Sequence, residues 1–121
     1  MEIKGGIEMK LSVKERLTFA SLYPQQGTLL EQLIVKDISE KVRIDTKEAD
    51  KIGLKNQGNT LKWENKAAKE KEVEFTDAEV DFLANQITRL DRDRKISQNN
   101  LDLCIKIKDA KAKVKADKSK S

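Results

Sequence analysis

Apolar residues recur along the chain at the three- and four-residue spacing of a helix face, and capping signals punctuate them. Ser12 with Glu15, Thr28 with Glu31, Asp45 with Glu48 and Thr76 with Glu79 each place an oxygen acceptor three positions before a glutamate, at the head of an apolar run. That is the capping-box pattern: the first side chain accepts from a free amide of the first turn, and the glutamate reaches back. Four helix starts are therefore predicted. In the first helix Val13, Leu17 and Ala20 form the stripe and Phe19, Leu22 and Tyr23 broaden it, until Pro24 and Gly27 stop it. The second, from Thr28, carries Leu30, Leu33, Ile34, Ile38 and Val42, widened by Leu29 and Val35, and reads as the central core helix. The third is brief, about Thr46 to Ile52, and Gly53 with Leu54 resembles a Schellman stop.

After that stop the period changes from helical to alternating. Asn56 to Asn59 is turn chemistry, with Gly58 free to take positive φ. Leu61 and Trp63 alternate with polar residues, as do Val73 and Phe75, which predicts two half-buried strands joined by the charged loop Asn65 to Lys71. The fourth helix runs from Thr76 with Val80, Leu83, Ile87 and Leu90. Residues 98–107 fit a strand through Leu101, Leu103, Ile105 and Ile107, or a helix capped by Ser97, and the cap favours the helix. The expected class is α+β, mainly α: four or five short helices and one β-hairpin between the third and fourth helix, in a winged-helix-like order.

Composition and charge then set limits. The 121 residues are 37% hydrophobic and 38% charged, which fits one small domain. We expect a flexible N-terminus over 1–10, where Met9 is a second candidate start, a compact domain over 11–107, and a basic disordered tail over 108–121. The net charge of +4 resides in that tail: its six lysines and two aspartates leave 19 basic and 19 acidic residues elsewhere. A neutral body offers no global attraction to a phosphate backbone. No apolar run approaches the roughly 20 residues of a membrane span, and the single Cys104 forms no internal disulfide, so a cytoplasmic location is expected.

The chain has no histidine, which removes the usual general base near neutral pH and the commonest transition-metal ligand. We expect no catalytic residue, no metal site and no cofactor. Asp77 and Asp81 sit where a helix N-terminus explains acids without catalysis, and Cys104 has no histidine to activate it. Two binding patterns remain. A winged-helix reading places Lys47, Lys51, Lys55, Asn56 and Gln57 to reach phosphates or base edges of DNA. An interaction surface would use Trp63, Lys66, Lys69 and Lys71, with Trp63 as a stacking platform or anchor unless it packs across the hairpin on Val73 or Phe75.

The stretch Leu11-Ser12-Val13-Lys14-Glu15-Arg16-Leu17, followed by Leu22-Tyr23-Pro24-Gln25-Gln26-Gly27, resembles the start of small uncharacterised proteins encoded by bacteriophages and prophages of gut bacteria. Gly53-Leu54-Lys55, Leu61-Lys62-Trp63 and Lys71-Glu72-Val73-Glu74-Phe75 extend the resemblance. It implies a phage source and no catalysis, and it carries over no site residue. The function expected is non-enzymatic binding that occludes or sequesters a host protein or small ligand in the host cytoplasm. Homo-oligomers are a further expectation, since the second and fourth helices offer more apolar face than a small core covers. The alternative is a DNA-binding regulator.

Overall fold

The structure, a computed structural model, describes residues 6–64 and 69–119, with side chains as far as Val114. Along the chain run β1 (Gly6–Leu11), α1 (Val13–Thr18) with a 3-10 turn (Phe19–Leu22), α2 (Leu29–Val42) and α3 (Thr46–Ile52). β2 (Lys55–Gln57), β3 (Thr60–Lys62), β4 (Lys71–Thr76), α4 (Asp77–Arg92) and α5 (Gln98–Ser119) follow. The class is the expected one, α+β and mainly helical, with a hairpin between α3 and α4.

The strand pairing differs from the expectation. β2 and β3 close a small antiparallel hairpin about Gly58 and Asn59, where Gly58 has φ 64°. β4 pairs instead with β1, in the register Ile7 to Phe75, Met9 to Val73 and Leu11 to Lys71. The cause lies in alternation: Ile7, Met9 and Leu11 share one face, separated by Glu8 and Lys10, and that face meets the apolar face of β4 over the core. Residues 6–10, expected to be flexible, are thus a strand. Trp63, expected opposite Val73 or Phe75, follows β3 half-buried and outside the main apolar cluster, because those two residues face β1 and the core.

The core is centred on α4 rather than α2. Val80, Phe82, Leu83, Ala84 and Ile87 are buried on α4, against Phe19, Leu22, Phe75, Leu103 and Ile107. Phe19 and Phe75 stack with ring centroids 5.8 Å apart. On α2 only Ile38 and Val42 are buried, with Ile34 and Val35 partly so. Its expected stripe divides between two faces. At about 100° per residue Ile34, Ile38 and Val42 point one way, while Leu29, Leu30 and Leu33 point the other with Lys36, Asp37 and Glu40. Those leucines are 79%, 67% and 49% exposed.

Of the region expected as a disordered tail, residues 108–119 form the second half of α5. Ala110 and Val114 are buried in the core, continuing the spacing of Leu103 and Ile107. Lys111 pairs with Asp81 of α4. Lys106 donates to Glu15 Oε1 and to the Lys10 carbonyl, both at 2.7 Å, so lysines fasten this helix to the body.

Three of the four capping boxes form in full, at Ser12, Thr28 and Thr76. The fourth forms by half: Asp45 accepts from the Glu48 amide at 2.8 Å, but the Glu48 side chain turns to Arg16. α3 ends in the expected Schellman motif, with Gly53 at φ 67° and the Leu54 amide donating to the Ala49 carbonyl at 2.9 Å.

Candidate functional site

Arg16 organises the ground beneath α3. Its side chain is fully buried, its Nε donates to the Val42 carbonyl at 3.0 Å and its second terminal nitrogen to the Arg43 carbonyl at 2.6 Å. Both terminal nitrogens also reach the Glu48 carboxylate, a bidentate pair that fixes the face of α3 turned toward α1. The Arg16 hydrogen bonds hold the Glu48 carboxyl below its ordinary range against its partial burial, and the nearby Lys71 charge adds to the effect. With Glu48 turned inward, Lys47 and Lys51, four residues apart, stand exposed on α3.

Opposite them the chain enters β4 through Lys69, Glu70, Lys71 and Glu72, all exposed. The two segments enclose a shallow cleft of about 570 Å³, with Lys47, Lys51, Lys69 and Lys71 around it and Ile52 at its edge. The structure therefore brings together lysines that the sequence assigns to two separate surfaces. Lys55, Asn56 and Gln57 are exposed on β2, on a strand and apart from this cleft. Trp63 is likewise not among the residues lining it. Lys66 lies outside the described residues.

A second surface consists of residues whose spacing predicts a core face. Leu29, Leu30 and Leu33 lie within about 100° of arc on the N-terminal half of α2, the outward side of a helix whose inward side is already packed. Together their exposure equals about two fully exposed leucines, on the order of 300 Å² of apolar surface, the lower end of the range for the largest patch on a typical monomer, which often has a function. The signal was present: Lys36, Asp37 and Glu40 continue the same face, so the leucines cannot belong to one buried stripe with Ile38 and Val42.

Groups with chemical reactivity are few. The Cys104 thiol is buried, burial pushes its pKa up, and Asn100 Oδ1 is 4.0 Å from its sulfur. It stays protonated near neutral pH and is no ready nucleophile. Asp81, half of the Asp77 and Asp81 pair, is taken by Lys111. Among the described residues no group of three or more cysteine and carboxylate side chains is placed to hold a metal ion, and no helix is long and apolar enough to cross a membrane. Compared with protein-family models, curated proteins and solved structures, the chain gives no match.

Proposed function

We propose that the protein is a non-enzymatic binding protein of a phage or mobile element, acting in the host cell by occluding or sequestering a host protein. The observation that carries this reading is the leucine surface of α2. Three leucines on the exposed side of a helix cost solubility and add nothing to the core, whereas on a partner they supply the dry centre of an interface. Thr28 and Glu31 cap the helix reciprocally at its N-terminus, so the surface is presented on a rigid element. The resemblance of the segments around α1, α3 and β4 to phage and prophage proteins supports the source. Duplex reading by α3 has less in its favour: the helix is two turns long, and Lys55, Asn56 and Gln57 stand on a strand beside it.

The test is native mass spectrometry of tagged protein purified from its natural host, beside the double variant Leu30→Glu, Leu33→Glu. The wild type should carry a stoichiometric protein partner. The variant should be free of it while keeping the same circular dichroism and a Tm within a few degrees, because neither leucine is core. Wild-type protein without a partner, or a partner retained by the variant, rejects the reading.

A further inference from the structure

Lys47 and Lys51 from α3, with Lys69 and Lys71 from the entry to β4, surround one cleft that four carboxylates also line. If those carboxylates were the lysines' partners, the cleft would be neutral and inert. Three of them have contacts of their own. Glu48 is held bidentately by the buried Arg16. Asp45 accepts from the Glu48 amide as the cap of α3. Glu70 Oε2 lies 3.7 Å from Lys106 Nζ. Glu72 stands opposite Lys10 across the β1–β4 ladder. Among the described residues no ion pair includes any of the four lysines. Arg16 offsets Glu48, and Lys106, which also serves Glu15, is shared with Glu70, so ammonium charge exceeds carboxylate charge around the cleft while none of the four lysines is held in an ion pair.

We propose that this cleft binds an anion bearing several phosphates. Ammonium groups are compact point charges on flexible stems, which suit phosphate oxygens arriving from several directions; a planar carboxylate is better matched by the fork of an arginine. Four such groups call for a ligand with several negative charges. The cleft volume of about 570 Å³ lies within the usual range for small-ligand sites. Phosphates of this kind come from a free oligophosphate or from a nucleic-acid backbone. The site shares no residue with the leucine surface of α2, so it stands independently of the protein-binding reading.

Calorimetric titration of the full chain at low ionic strength tests the site, with sodium tripolyphosphate in one arm and a short DNA duplex in the other. Saturable binding is expected in at least one arm, weakened about tenfold or more by Lys51→Gln with Lys71→Gln. Lys108→Gln with Lys113→Gln, two exposed lysines of α5 outside the cleft, should leave it unchanged. Saturation by tripolyphosphate assigns the free anion, and saturation by the duplex alone assigns the backbone. No saturable binding in either arm, or equal weakening by the α5 pair, overturns the proposal. Circular dichroism of both double variants keeps a folding defect from being read as loss of the site.

Discussion

Arg16 joins α1 to the end of α2 and to α3 with one guanidinium, and its replacement leaves several groups without partners at once. Arg16→Met keeps the aliphatic bulk but strips the Val42 and Arg43 carbonyls and the Glu48 carboxylate of their donors, at a cost of about 3 kcal/mol. Urea denaturation measures that cost. The pair also has a pH signature. Glu48 titrates below its ordinary 4.5 because Arg16 donates to its charged form, so its contribution is full above that value and fades as pH falls through the lowered folded value. The gap between wild type and Glu48→Gln should therefore narrow below pH 4.5. Glu15 follows the same direction: burial alone would raise its pKa, and the Lys106 and Ser12 hydrogen bonds with the Lys106 charge outweigh it. A second residue stores strain. Arg94 closes α4 at φ 59°, with its amide donating to the Asp91 carbonyl and the Lys95 amide to that of Leu90, the bonding that Gly53 makes after α3. Arg94 is exposed and has a Cβ that this conformation penalises. Arg94→Gly should stabilise the protein by about 0.5–1 kcal/mol, read as a rise in Tm.

At the scale of elements, α5 is where the structure departs furthest from composition. Its second half is rich in lysine, yet Ala110 and Val114 complete the core and Lys111 holds α4. A chain ending at Ile107 should lose about 2–4 kcal/mol relative to one ending at Ser119, checked by chemical denaturation of both. Spacing showed this continuation, since Leu103, Ile107, Ala110 and Val114 keep a four-three-four rhythm; the lysines between them concealed it. Features governed by neighbours were legible: three complete capping boxes, the glycine stop of α3 and the alternation of β4. Features governed by distant contacts were not. Glu48 leaves its box for an arginine 32 residues earlier, and β4 chooses a strand from the other end of the domain over the one beside it. The division of the α2 stripe was legible in the charged residues that share the leucines' face, whereas what the rest of the chain leaves uncovered there was not. For the candidate site, residue types were readable but not their convergence: α3 and the entry to β4 meet only in the folded chain.

The whole molecule then has two unlike outer features, the apolar surface of α2 and the lysine-lined cleft beside α3. The leucine surface is on the order of 300 Å², against about 800 Å² per partner in a standard interface. A second copy pairing through these leucines alone falls short, so in the native mass spectrum the unbound protein should carry one subunit. A host partner has to reach past the leucines to the polar side chains that frame them. The joining of β1 to β4 has its own result for how the molecule comes into being. Gly6 meets Thr76, and Lys10 receives Lys106, so the first strand made is the one whose partners arrive last. At ~5–20 residues per second the ribosome leaves Met9 and Leu11 uncovered for seconds before β4 emerges, and for longer before α5 closes over them. Such closure over long sequence separations slows folding, and during synthesis it makes the nascent N-terminal strand the segment most in need of a chaperone.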